Sequence, residues 1–316
     1  MAYRCYHCEC TVARCTMPLR TSLFLLTNLA VVATIAVLLG LATAIGLLPP
    51  DLPFTPLLIG SFFWGSVGSW ISLQMSRESA IRGMGVQLVD QNSGPEARWL
   101  VTTVAGLAEK AGLPMPDVGI YAAPEFNAFA TGPSPDRALV AVSTGILRGM
   151  PPAELEAVLG HELSHVGNGD MVTMSLLQGV VNAFVLFFVR LLWMAMPRST
   201  DEQGRVRAPS LMLVQPLEVV LGLGGSLITA WFSRHREYRA DAGSAALVGP
   251  DAMVGALERL GGAVQLADRR DGPAFDNLKI SAPPQLLSLL ASHPPLEDRI
   301  RALRESKVKG LQTASP

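Results

Sequence analysis

Two histidines four residues apart with a glutamate beside the first, His161-Glu162-Leu163-Ser164-His165, are the residues of this chain best suited to chemistry. On a helix, positions i and i+4 share a face, so both imidazoles project to one point. Neutral imidazole is a zinc ligand, and a catalytic zinc takes three protein ligands while a fourth position stays open to water. A carboxylate beside that water can take its proton, and the spacing gives this role to Glu162. Ala157, Val158, Leu159 and Gly160 lead straight into His161. The polar groups therefore come out of an apolar surface, which a merely solvated helix face does not offer.

A third ligand has to come from another segment. Ser233 to Asp241 is densely polar and opens a predicted helix ending near Val248, with Glu237 and Asp241 four apart on one face. One carboxylate can complete a His2Glu set, and the other can hold a ligand imidazole by its second ring nitrogen. Without the histidine pair, the same block reads as a solvated helix laced with i,i+4 ion pairs.

Much of what positions these residues is apolar. Of the 316 residues 49% are hydrophobic and 16% charged, with a formal net charge of -1; this leans towards a membrane protein and away from nucleic acid as a partner. The run Ser22 to Leu48 carries no charge and is long enough to cross a bilayer, unlike the shorter apolar region of a cleaved signal peptide. Leu57 to Met75 follows after a Pro-rich turn, so the two read as a transmembrane hairpin, with Ser61, Gly65 and Ser69 placed to let the second run pack closely on the first. Arg4, Arg14 and Arg20 precede the hairpin, Arg77 and Arg82 follow it, and Asp51 lies in the turn. Both ends should then face the cytoplasm. Two further apolar runs, Met171 to Met196 and Leu211 to Phe232, contain Arg190 and Glu218 and flank a polar loop. Run length favours a second hairpin across the bilayer, against the arginines of that loop. A ligand beyond Phe232 can join His161 only if the number of crossings between them is zero or two.

Between Gln87 and Gly160 the composition is that of a soluble domain. Leu100, Val104, Leu107 and Ala111 recur at helical spacing from Arg98 onwards, with Gly112 and Pro114 ending the helix. Val118 to Ala122 and Ala138 to Ser143 read as strands of a small antiparallel hairpin around the Gly/Pro-rich loop at 131–135, its exposed edge suited to an extended peptide. The motif helix starts near Pro152, carries Glu154 and Glu156 early, and weakens at Gly167 and Gly169. All four cysteines, Cys5, Cys8, Cys10 and Cys15, fall in the first fifteen residues with His7 among them. This excludes a disulfide-stapled core and leaves reduced thiols, a small irregular metal site, or an extension ahead of a start at Met17.

The segments HELSH, REYRADAGSAAL, SHPPLEDRI and, at Asn127 to Gly132, NAFATG together resemble the HtpX family of membrane-bound zinc endopeptidases, over nearly the whole chain from Met17. The resemblance implies one zinc ion per chain held by His161, His165 and Glu237, Glu162 as general base, and Asp241 behind a ligand. It implies a multi-pass protein of the bacterial inner membrane with a cytoplasmic catalytic domain that degrades damaged or misfolded membrane proteins under stress. His293 matches a family position near the active site, where it or Arg299 would stabilise an oxyanion. His235 matches a basic family position outside the metal set. Asn127, Ala128 and Phe129 are the expected substrate-binding residues. The fold expected is mainly α with a small antiparallel β-sheet, an integral membrane protein carrying a zincin-type, gluzincin-like catalytic domain. The expected divisions are 1–16 (extension), 17–75 (transmembrane hairpin), 76–170 (first part of the protease domain), 171–232 (second apolar hairpin), 233–308 (second part of the protease domain) and 309–316 (flexible tail). The rival expectation is an inactive membrane scaffold or chaperone on the same fold; the charges in the apolar runs suggest a transporter less well.

Overall fold

The computed structural model describes residues 54–196, 199–200, 206–207, 210–270 and 293–313, with parts of 29–46. The cysteine cluster, the Met17 start and much of the first apolar run lie outside the described residues. In chain order the elements are α1 (Phe54–Met84), β1 (Gln87–Leu88), α2 (Pro95–Lys110), β2 (Asp117–Tyr121), β3 (Ala128–Thr131), β4 (Leu139–Ser143), α3 (Thr144–Gly149), α4 (Pro152–Asn168), α5 (Asp170–Ala195), β5 (Ser199–Thr200), β6 (Val206–Arg207), α6 (Gln215–Val248), α7 (Pro250–Arg270) and α8 (Leu296–Thr313). They form two compact units, Met1–Ser72 with Met174–Thr229, and Leu73–Thr173 with Ala230–Pro316.

In the first unit, Leu58 and Phe62 of α1 close on Ala183 and Phe187 of α5, with the helical residues Val32, Ile35, Ala36 and Leu39 against them. The small-residue stripe of α1 packs on a different partner from the one its own spacing suggests. A Cβ on Gly65 would lie 2.8 Å from the backbone nitrogen of Ala183 and the carbonyl of Gly179, and Ser175 Oγ donates to the Ser69 carbonyl at 2.9 Å. Gly65 and Ser69 thus meet Ser175, Gly179 and Ala183, a matching stripe on α5 that lets two backbones approach. Among the described residues α1, α5 and α6 are long and apolar enough to cross a membrane. Arg190 and Glu218 are exposed, near the end of α5 and in the first turn of α6, where charges reach water at low cost.

The second unit is built on a four-stranded sheet of order β1-β2-β4-β3. Its register corrects the expected hairpin: β2 runs parallel to β4, from Asp117 opposite Leu139 to Tyr121 opposite Ser143. The loop at 131–135 does turn a hairpin, but between β3 and β4, with Ala128 opposite Val142 and Thr131 opposite Leu139. The sheet is therefore mixed. Every residue of β4 is buried, as a central strand covered on both faces requires. One face carries Val140 and Val142 into a core with Leu100, Val104 and Leu107 of α2, Leu155, Leu159 and Leu163 of α4, and Met253 and Leu257 of α7. The other gathers Leu139, Ala141 and Tyr121 around Val86.

Two further boundaries differ from expectation. α6 runs unbroken from Gln215 to Val248 instead of restarting at Ser233. At 34 residues it is about 51 Å long, against a hydrocarbon layer of about 30 Å. Polarity changes sharply at Phe232, yet nothing there breaks a helix. α8 continues to Thr313, so the helix takes in most of the segment expected to be a flexible tail.

Candidate active site

The motif helix α4 is set by its sequence at both ends. Pro152 opens it, Glu154 meets its positive end, and Gly169, at φ 67, closes it by donating its N–H to the carbonyls of His165 and Val166. His161 and His165 then share one face and are buried, their ring centroids 4.6 Å apart. Glu162 stands beside them, half-buried.

Small residues hold α6 close to α4. A Cβ on Gly243 would fall 2.4 Å from Ser164 Oγ and 2.8 Å from its Cβ, and Ser244 Oγ donates to the Ala157 carbonyl at 2.6 Å. This approach brings in Glu237, which is fully buried. The two histidine Nε2 atoms lie 3.1 Å apart, and each is 3.4 Å from a Glu237 oxygen. Both of those oxygens are buried without a hydrogen-bond partner. A buried carboxylate is costly unless cationic groups or a metal ion account for it, and the donor set, two imidazoles and a carboxylate, is one a divalent transition metal accepts.

Around the three lies a ring of charge. Asp241 Oδ1 is 2.9 Å from Nδ1 of His161, out of line with the ring N–H, and Asp241 receives Arg299 Nε and Nη2 at 2.7 and 2.6 Å. Arg299 is buried and bound to that carboxylate, with its remaining nitrogen Nη1 3.4 Å from Glu237 Oε2. His293, largely exposed, places Nδ1 2.9 Å from Glu237 Oε2. His165 has its own carboxylate partner, Asp170, at 2.8 Å, which the sequence reading missed. His235 points elsewhere, its Nδ1 on the Trp231 carbonyl. Asn127 precedes the edge strand β3, which lies against α4; its N–H donates to Ser143 Oγ at 3.2 Å, and its carbonyl accepts the Ser143 N–H at 2.9 Å. Ala128 and Phe129 are in β3 itself, with the Phe129 ring 5.7 Å from that of Tyr121. Phe129 is thus spent on packing, and what β3 offers outward is backbone.

The site's charges are strongly coupled in the metal-free protein. Burial opposes a charged His161, but hydrogen bonds with Asp241 and Glu237 overcome this and raise it to about 9. Burial likewise opposes a charged Glu237, yet His161, His165 and His293 hold its carboxyl far below the usual carboxylate range. The cluster is charged as it stands and holds protons where a cation would go.

Residues 95–307 match the family described as peptidase family M48. The chain is 46% identical over 256 residues to Protease HtpX of Haemophilus influenzae, covering 78% of this chain and 87% of that protein. The chain belongs to family M48, among the HtpX proteases. It is 47% identical over 256 residues to Protease HtpX of Escherichia coli O1:K1, covering 78% and 86%, and 46% identical over 260 residues to a Protease HtpX homolog of Methylacidiphilum infernorum. HtpX membership makes it a metalloendopeptidase with a metal cofactor, and its apolar helices make it a membrane protein. A crystal structure of S. mikatae Ste24p shares the fold at a TM-score of 0.55 and 20% identity, covering 86% of this chain and 65% of that one.

Proposed function

We propose that this HtpX protein hydrolyses peptide bonds of unfolded or misfolded proteins, membrane proteins among them, at one zinc ion held by His161, His165 and Glu237. The observation that carries this is the spacing of the three donors. The two Nε2 atoms lie 3.1 Å apart, Glu237 turns Oε2 to His161 and Oε1 to His165 at 3.4 Å each, and one ligand atom from each of the three residues lies within 4.8 Å of the others, close enough for one ion to be shared by this donor set. Zinc there supplies a Lewis acid for the substrate carbonyl and lowers the pKa of a water towards neutrality.

Glu162, next to His161 on the same helix, takes the proton of the attacking water and passes it to the leaving amine. Asp241, itself gripped by Arg299, keeps His161 oriented from behind. Among the described residues β3 pairs with β4 on one side only, and its other edge receives the substrate as an added strand, giving affinity through main-chain hydrogen bonds and little sequence preference. His293, at the open side of Glu237, steadies the oxygen of the carbonyl under attack. The arginines flanking the first apolar pair support a cytoplasmic face of the inner membrane for this site.

The test is zinc content and casein cleavage for the wild type and Glu162→Gln, purified in detergent. Zinc in both with cleavage in the wild type alone is the expected result, the loss being about 10²- to 10⁴-fold. Zinc in both with cleavage in neither would support the scaffold instead, and wild-type cleavage by the variant would remove Glu162 from the mechanism.

A further inference from the structure

Asp170 is the first residue of α5 and is fully buried. Its Oδ2 accepts the Nδ1–H of His165 at 2.8 Å, and its Oδ1 accepts from Arg239 Nη2 at 3.2 Å. A buried carboxylate is tolerated only when paired, and these are its two partners in the site. We propose that Asp170 is a positioning residue of the metal centre, fixing the His165 tautomer that presents Nε2 to the cation and being held in turn by Arg239.

Three observations carry this. A carboxylate only accepts, so Nδ1 is the donor, and of the two neutral tautomers the contact selects the one whose Nε2 lone pair faces His161 and Glu237. Arg239 follows Glu237 by two residues on α6, so the segment that delivers the third ligand also fastens the group behind the second. The arrangement also repeats across the site: His161, Asp241 and Arg299 form one chain of imidazole, carboxylate and guanidinium, and His165, Asp170 and Arg239 form another. The His165 pair is the better aligned of the two.

The competing explanation is that Asp170 is an acidic residue in the first turn of a helix, favoured by the dipole. Such a residue needs water and no imidazole, whereas Asp170 is sealed from solvent. A helix-start role alone would show in stability and leave metal affinity alone.

The inference rests on the metal-centre reading, and the experiment separates the two. The full chain in detergent is compared as wild type, Asp170→Asn and Asp170→Ser. Zinc affinity is measured by competition with a chromophoric chelator, the visible spectrum with cobalt in place of zinc, and the unfolding temperature without metal. Asp170→Asn, close to isosteric, is expected to bind zinc about tenfold more weakly, and Asp170→Ser, too short to reach the ring, towards about a hundredfold, each with a shifted cobalt spectrum. Affinities within roughly twofold of the wild type in whichever variants fold would overturn the proposal, whatever the unfolding temperature does. A wild type that takes up neither metal would overturn the metal-centre reading and this inference with it.

Discussion

Glu237 is fully buried with its oxygens turned to His161, His165 and His293, and a buried carboxylate is not kept for packing. Replacing it by Gln should remove most metal binding, measurable as zinc retained after dialysis. The histidine beside it sets a pH dependence. His161 without metal titrates at about 9, above the 6.5 of a free imidazole, and must lose its proton before it can bind a cation. Zinc affinity should therefore rise with pH up to about 9, by about tenfold per unit for one displaced proton. The metal-free protein should show the opposite trend. The stability contributed by a raised pKa is complete below 6.5 and is lost as pH climbs through 9, so the metal-free unfolding temperature should fall over that window. That His161 with His165, and Glu237 with Asp241, each share a helix face was legible in the sequence because four-residue spacing on one helix is a geometric statement, whereas Glu237 as the member that joins the histidines came from the family resemblance. Asp170 and Arg299 were not legible: one lies five residues past His165 across a helix break, the other 58 residues from Asp241, and no periodicity links either pair.

At the level of elements, the site depends on how closely α4 and α6 approach. Gly243 makes that possible, and Gly243→Val would drive a side chain into Ser164. Overpacking of this kind costs about 1–3 kcal/mol; here it should also weaken zinc binding, because it separates Glu237 from the histidines, and thermal unfolding and zinc titration should move together. Gly65→Val offers a contrast. It should destabilise the α1–α5 contact by a similar amount, about 1–3 kcal/mol, and leave zinc affinity unchanged in the folded fraction. Helices α2 and α4 were readable to within a few residues because apolar spacing, proline starts and glycine ends agreed. β3 was not, since two Ala and one Thr around a single Phe give little strand signal until β4 is there to pair with them. The continuity of α6 was hidden for a related reason: hydropathy changes at Phe232 while helix-forming tendency does not, and only the first of these was conspicuous.

For the whole molecule, the alternation of apolar and polar segments already separates membrane from soluble material, and the structure adds which segments belong to one body. Leu73–Thr173 and Ala230–Pro316 fold together, with core residues from α4, α7 and α8 in a single cluster. Metal binding should therefore stabilise both chain segments at once. At free zinc of 100 times Kd the gain is about 2.7 kcal/mol, and a chelator should lower the unfolding temperature as it abolishes cleavage. The ligand set is also divided in time. His161 and His165 leave the ribosome first, and the chain must grow by about 70 residues, several seconds of synthesis at 5–20 residues per second, before Glu237 appears. Until then a nascent chain has two of its three proposed metal ligands and lacks the segment that closes its core. A peptidase that needs all three cannot cut its neighbours, or the emerging copies on the same messenger, before its own membrane helices have been made.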